Sequence, residues 1–321
     1  MNGKGENKWN DSESRRHSGT GRFAWLRMRP MSLWESGESN GLFSLKSLFE
    51  GKVDFAGSTE MTLEDIAHVI CRGGWPQSLK ARTRNSAYAS AANYVEAVVN
   101  SDVKRADGFA KNKDRTQKVL QSLSRNVSTL ATAETILGDV KANDGTICDK
   151  TLAVYIRALR GIFLVEDEPA WAPPMRAKLS LRTAAKRQFV DPSIAAAALH
   201  ATPDRLMKDL RAFGFLFESL CVRDLRVYAQ PLGGEIRHYR DQTGLEVDAI
   251  IVLKSGRWGG VEIKLGAGQI EEAAENLKTL RKKVDFNRMG HPSFLMVLTG
   301  SDMGYVRDDG IVVCPIGCLC P

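Results

Sequence analysis

The last third of the chain constrains the fold most, because it contains a strand-like segment that is almost wholly apolar. Residues 249–253 (AIIVL) follow two acids, Glu246 and Asp248, and a turn at Gly256 separates them from a second apolar segment, residues 258–265. Unbroken apolar runs of this length are typical of a central strand that is covered on both faces. This part of the chain therefore predicts a sheet with helices packed against it.

The neighbouring segments complete the pattern of this region. We predict a helix at 213–225, strands at 236–239, 245–253 and 258–265, a helix at 269–283, and strands at 293–298 and 311–316. The first six of these elements have the order αβββαβ, and a further strand follows. The whole chain is therefore expected to be a mixed α/β protein.

The region before residue 176 is predicted to be mainly helical. Apolar residues recur at helical spacing in 63–72, 88–103, 115–125, 131–140 and 149–160, and a strand is expected at 22–33. Three short helices followed by a strand-like segment, 163–165, are typical of a winged helix-turn-helix, although the same pattern fits a helical trio used only for packing. We predict a helical connector at 41–112, a winged helix-turn-helix at 113–175 and the αβββαβ domain at 176–321.

Composition and motifs exclude several classes of protein. The 321 residues are 43% hydrophobic and 26% charged, as expected for a globular chain. No apolar run approaches the roughly 18 residues that span a bilayer, and the N-terminus has no signal-peptide pattern. The six cysteines and five histidines form neither a zinc-binding helix nor a Ser-His pair. A cytoplasmic protein with no membrane partner is expected.

A basic stripe without acids lies between residues 176 and 187. Its cations are Arg176, Lys178, Arg182, Lys186 and Arg187. Such a stripe could contact the phosphates of a nucleic acid, or it could be an ordinary solvated surface. The net charge of +7 permits a polyanionic partner without requiring one.

Acidic and basic side chains interrupt the apolar strands and helix of the last third. Glu262 and Lys264 are two apart on one strand and leave the same face; Asp248 precedes Glu262 by 14 residues, and Glu218 lies on the helix before them. An ion pair explains the first two residues but not the others. We expect Asp248, Glu262 and Glu218 to hold Mg²⁺ or Mn²⁺ through oxygen. Lys264 would orient water or stabilise developing charge, so all four are candidate catalytic residues.

These residues resemble the PD-(D/E)xK restriction-endonuclease-like fold, with Asp248 and Glu262-Ile263-Lys264 as its hallmark and Glu218 as its helix acid. More widely, the chain resembles AAA-type ATPases of bacteria and archaea that end in a nuclease-like domain. The segments that carry this second resemblance are 21–39, 72–76 (RGGWP), 189–193 (FVDPS), 214–225, 245–248 and 261–264. This resemblance implies that residues 1–40 are a remnant of the C-terminal end of an ATPase domain, and that a winged helix links that domain to the nuclease-like domain.

The phosphate loop of those ATPases, G-x-x-x-x-G-K-[ST], does not occur in the sequence. The chain is therefore expected neither to bind nor to hydrolyse ATP, and to be a truncated or split ATPase whose partner is the missing half or another protein. Three functions remain open: a metal-dependent nuclease, a non-catalytic module that binds nucleic acid or protein, and an inactive gene fragment.

Overall fold

The computed structural model describes residues 26–52, 56–102, 112–142, 146–172 and 184–321. It is a mixed α/β structure, as predicted. Its strands are β1 (Phe43–Ser44), β2 (Gly57–Ser58), β3 (Gly234–Arg240), β4 (Glu246–Leu253), β5 (Trp258–Lys264), β6 (Phe294–Thr299), β7 (Met303–Val306), β8 (Val312–Pro315) and β9 (Leu319–Cys320). Seven of them form one sheet in the order β2-β7-β8-β6-β5-β4-β3. The sheet is mostly antiparallel, and β5–β6 and β6–β8 are its parallel pairs in the described residues.

The helices of the first half are α1 (Leu45–Phe49), α2 (Leu63–Arg72), α3 (Pro76–Leu79), α4 (Arg84–Ala97), α5 (Lys113–Arg125), α6 (Ala133–Lys141) and α7 (Asp149–Gly161). Those of the second half are α8 (Pro192–Ala198), α9 (Pro203–Lys208), α10 (Leu210–Ala229), α11 (Ile270–Lys283) and α12 (Phe286–Met289). Within the described residues, no helix combines the length and the apolar character that crossing a membrane requires.

Two long helices cover the two faces of the sheet. The apolar residues of α10, among them Phe213 and Leu216, share one core with Val261 and Ile263 of β5. Those of α11, among them Leu277, share a second core with residues that point to the other face. Since β5 is covered on both sides, its apolar sequence is explained.

The helical trio α5, α6 and α7 is followed by a short antiparallel ladder. Its bridges pair Val165 with Phe189 and Glu168 with Lys186. The predicted strand at 163–165 is reduced to the bridge at Val165, because Phe163 has a positive φ of 58° and a largely exposed side chain. The ladder brings residues 184–190 back against the trio.

Three other predictions were wrong in detail. In the predicted strand at 22–33, the described residues have no strand, because Met31 N–H donates to Gly74 O and Leu33 N–H donates to the Asp224 carboxylate instead of to a neighbouring strand. Helix α4 begins before 88, since Thr83 caps it, and Ala97 is exposed rather than inward. Strand β7 was missed because it is four residues long.

Candidate active site

The four residues that the sequence singled out lie close together at one end of the sheet. Asp248 is on β4, Glu262 and Lys264 are on β5, and Glu218 is near the middle of α10. The ammonium of Lys264 lies 2.8 Å from Glu262 Oε2 and 3.5 Å from Asp248 Oδ2. The backbone N–H of Ile263 donates to the same Asp248 oxygen at 2.9 Å, which fixes the orientation of that carboxylate.

Lys186 is a fifth member of the cluster that sequence reasoning did not place there. Its ammonium lies 2.8 Å from Glu218 Oε1 and 3.3 Å from both Asp248 Oδ1 and Glu246 Oε1. No sequence pattern signalled this contact, because it joins positions 62 residues apart. The expectation that Lys186 belongs to a nucleic-acid surface does not fit the structure, since the side chain is only 1% exposed.

Arg187, the other described cation of the predicted basic stripe, also makes contacts within the protein. Arg187 donates to Ala131 O at 2.9 Å and to Asp167 Oδ2 at 2.8 Å, so its guanidinium is already engaged within the protein. Arg176, Lys178 and Arg182 lie outside the described residues. Neither Lys186 nor Arg187 presents a free cationic surface.

Glu262 and Glu218 approach the cluster from opposite faces of the sheet. Val261 and Ile263 pack in the core beneath α10, so Glu262 between them points the other way, where Asn276 of α11 donates to Glu262 Oε1 at 3.4 Å. Asp248 is the residue that both sides share. Its Oδ1 faces Lys186, and its Oδ2 faces Lys264.

Burial and neighbouring charges shift the pKa values of Asp248 on β4 and Glu262 on β5 in opposite directions. Burial, together with the nearby charge of Asp248, raises the pKa of Glu262 well above its usual range. Burial would also raise the pKa of Asp248, but Lys186 and Lys264 outweigh it and lower that pKa to about 2. The charged form is therefore favoured at Asp248 and disfavoured at Glu262.

Two further acids around Lys186 are buried. Burial raises the pKa of Glu218 to about 8, despite the attraction of Lys186. Burial also raises the pKa of Glu168 to about 7. Neither carboxylate oxygen of Glu168 has a hydrogen-bond partner within the described part of the chain, although its backbone pairs with that of Lys186. Sequence reasoning missed Glu168, which is one acid in an acidic loop.

The cluster opens onto a cleft of about 530 Å³. Asp248, Lys264 and Glu218 line the cleft together with Arg211 and Gln269. Lys264 is 21% exposed, so its ammonium can meet a ligand that enters from solvent. The cleft gives the cluster the access that a reacting group would need.

The carboxylates of the cluster fit a divalent cation only in part. Asp248 and Glu262 offer oxygen ligands, and their close approach is of the kind that a bound cation would neutralise. Glu218 does not join them, because its carboxylate faces Lys186 from the other side of the sheet. Over the described ranges no three His, Cys, Asp or Glu side chains form a group that could hold a metal ion. The fit is therefore to a pair of carboxylates and not to the predicted three.

Two family models match parts of the chain. Residues 213–319 match a domain of unknown function, DUF4143. The C-terminal part of the chain is a DUF4143 domain. Residues 63–205 match a second domain of unknown function, DUF8612. No curated protein and no solved structure matches the chain.

The two matches divide the cluster between them. Glu218, Glu246, Asp248, Glu262 and Lys264 lie in the DUF4143 domain, whereas Lys186 and Glu168 lie in the DUF8612 region. The cluster is thus assembled from both regions, with four acids and Lys264 supplied by one region and the buried Lys186 and Glu168 by the other.

Proposed function

We propose that the DUF4143 domain is a metal-dependent phosphodiesterase of the PD-(D/E)xK type that acts on nucleic acid, with Mg²⁺ or Mn²⁺ held by Asp248 and Glu262. The observation that carries the proposal is the juxtaposition of these two carboxylates with Lys264, where Asp248 and Lys264 line an open cleft and Glu262 lies buried behind them. Neighbouring strands place oxygen ligands and an ammonium together, which is the set that such chemistry requires.

Each side chain has a distinct role in this proposal. A bound divalent cation would activate water and neutralise negative charge on the phosphate. Lys264, which reaches both carboxylates and is partly exposed, orients the attacking water or stabilises the charge that develops on the phosphate oxygens. The N–H of Ile263 holds Asp248 in place without using a charge.

The wider assignment, to the C-terminal portion of an AAA-type ATPase that does not itself bind ATP, rests on the sequence motifs. It is supported by the convergence of those motifs on one buried network. Gly74 N–H donates to Asp191, Arg223 pairs with Asp191, and Leu33 N–H donates to Asp224. The trio α5–α7 with its antiparallel ladder likewise supports a winged helix-turn-helix.

The direct test is cleavage of DNA and RNA by the full chain with Mg²⁺ or Mn²⁺. We expect nicking of supercoiled plasmid or cleavage of RNA that Asp248→Ala and Lys264→Ala each abolish, because each removes a member of the site. The matched control is Lys254→Ala, which removes an exposed lysine from the other end of β4. No cleavage of any substrate by wild-type protein, together with no Mn²⁺ binding in calorimetry, would contradict the proposal.

A second candidate is a non-catalytic module that binds nucleic acid or protein. The observation in its favour is Lys186, which already neutralises Glu218 and Asp248 with a cation of the chain itself. Helix α7 also exposes Lys150 and Arg157, which could contact phosphates. This function predicts salt-dependent binding that survives Glu262→Gln, with no cleavage.

The third alternative, an inactive gene fragment, predicts an exposed apolar surface near the N-terminus. Leu26 and Met28 are 78% and 90% exposed, whereas Leu33 is buried. A monodisperse protein that melts cooperatively would argue against a fragment, and aggregation on expression would favour one.

A further inference from the structure

Lys186 is the buried charged group that the proposed chemistry leaves unused. We infer that Lys186 is a resident cation of the site, which fills the side between Glu218 and Asp248 and so leaves room for one divalent cation, on the side between Asp248 and Glu262. The inference rests on the proposed function and specifies how many metal ions the site takes.

The contacts of Lys186 are those of a bound cation. Three carboxylates, from Glu218, Glu246 and Asp248, lie within 3.3 Å of its ammonium. The side chain is almost completely buried, so water contributes little to neutralising the acids on this side. A metal ion placed among the same oxygens would be repelled by the ammonium at close range.

The backbone of Lys186 is held in place beside the cluster. Lys186 N–H donates to Glu168 O and Glu168 N–H donates to Lys186 O, both at 2.9 Å, and the next residue, Arg187, donates its N–H to Thr129 O at 2.8 Å. Moving the residue out of the cluster would require breaking this ladder, and its buried side chain has no solvent beside it into which the ammonium could turn. Lys264 is also held by its backbone, which pairs with Thr299, but its side chain is partly exposed to the cleft.

Asp248 divides the site into two sides. Its Oδ1 is 3.3 Å from the ammonium of Lys186, whereas its Oδ2 receives the Ile263 N–H and faces Lys264. Glu262 lies on the second side only. The first side is therefore filled by Lys186. On the second side the Lys264 ammonium lies beside both Asp248 and Glu262, so a cation that meets these two carboxylates must displace an ammonium that is partly exposed to the cleft.

The resident cation comes from outside the acids' own domain. Lys186 belongs to the DUF8612 region, and Asp248 and Glu262 belong to the DUF4143 domain. The number of metal ions therefore depends on how the first region docks onto the second. A second divalent cation could enter only if residues 184–190 leave their place beside β4.

The experiment is calorimetric titration of the full chain with MnCl₂. The wild-type protein is expected to bind one Mn²⁺, and Lys186→Met is expected to bind two, or to bind one at least tenfold more tightly, because the acids lose their internal cation. The control Lys254→Met removes an exposed lysine and should titrate like wild type. Identical stoichiometry and affinity in wild type and Lys186→Met would overturn the inference while leaving the proposed metal site standing.

If Lys186→Met does not fold, the variant Glu218→Gln tests the same inference. Glu218→Gln removes the nearest partner of Lys186 and keeps the shape of the side chain. Because Glu218 lies on the filled side, this variant should still bind one Mn²⁺; loss of binding would show that Glu218 is a metal ligand and would overturn the inference. Failure of wild-type protein to bind any Mn²⁺ would instead contradict the proposed function, and the inference with it.

Discussion

Two buried clusters of charged residues in the described part of the chain differ in how completely their carboxylate oxygens are bonded. In the first, Arg223 lies between Asp191 and Asp224, and all three are closed to solvent. Asp191 also accepts from Gly74 N–H and Ser193 N–H, and Asp224 from Leu33 N–H and Tyr228 Oη. All four carboxylate oxygens are therefore bonded.

The second cluster, around Lys186 and Lys264, has acids in excess and an opening to solvent. Glu218, Glu246, Asp248 and Glu262 are all within an ion-pair distance of one of the two lysines, and Glu168 is buried beside them without a hydrogen bond to its carboxylate in the described residues. Incomplete bonding of this kind costs stability, and buried acids with raised pKa values of this kind are more frequent at functional sites than elsewhere. The same residue types thus make a structural joint at one place and a candidate reaction site at the other.

The largest expected effect on stability comes from the first cluster, in which Arg223 lies between Asp191 and Asp224. Arg223→Met leaves two buried aspartates without their cation, so we expect the free energy of unfolding to fall by about 3–5 kcal/mol. Urea denaturation followed by circular dichroism measures it. The matched control is Arg237→Met, whose partly exposed pair with Glu235 is worth about 0–1 kcal/mol. A loss below about 1 kcal/mol in Arg223→Met would mean that this network does not hold the two regions together.

The next largest effect concerns Glu168, the acid of the second cluster whose carboxylate has no hydrogen bond within the described residues. The folded-state pKa of Glu168 is about 7 against 4.5 for the free side chain, so the folded protein binds more protons between these values. The stabilisation that comes from binding this extra proton in the folded state is therefore lost as the pH rises from about 4.5 to about 7. Glu168→Gln should match wild type near pH 5 and be more stable at pH 8, by about 1–3 kcal/mol.

Urea denaturation of the two proteins at pH 5, 6.5 and 8 measures that difference. The exposed acid Glu235 provides the control, since Glu235→Gln should leave the pH dependence unchanged. If Glu168→Gln is less stable than wild type at pH 8, then the charged carboxylate of Glu168 is stabilised in the folded protein, and the two clusters do not differ in bonding at this residue.

The smallest effect on stability is expected at Glu262. Burial and the charge of Asp248 raise the pKa of Glu262 and so disfavour its charged form, and Gln keeps the shape of the side chain without that charge. Glu262→Gln should therefore change the free energy of unfolding by about 1 kcal/mol or less. Its Mn²⁺ binding should nevertheless fall at least tenfold in calorimetry, whereas the exposed control Glu272→Gln should bind as wild type does. A large loss of stability without loss of Mn²⁺ would make Glu262 a structural residue.

Local patterns in the sequence predicted several elements in both halves of the fold. The apolar runs gave β4 and β5, and helical spacing gave α2, α7, α10 and α11. The pair Glu262 and Lys264 could be predicted because residues two apart on a strand share a face. Asp248 could be predicted because its strand precedes theirs in the same meander.

The remaining features depend on contacts that no local pattern encodes. Lys186 reaches the cluster only because the ladder from Glu168 to Phe189 folds back beside β4, and in sequence it reads as one more cation in a basic stripe. The side of the sheet from which Glu218 approaches depends on how α10 packs. Arg223 and Asp191 likewise meet only through tertiary packing.

The most direct test of the central claim is anomalous diffraction from crystals of the full chain soaked in MnCl₂. A single Mn²⁺ bonded to one oxygen of Asp248 and one of Glu262, with Lys186 still beside Glu218, is the result that a one-metal phosphodiesterase site predicts. An ion between Glu218 and Asp248, or no ion at this edge of the sheet in crystals that bind Mn²⁺ elsewhere, would contradict it.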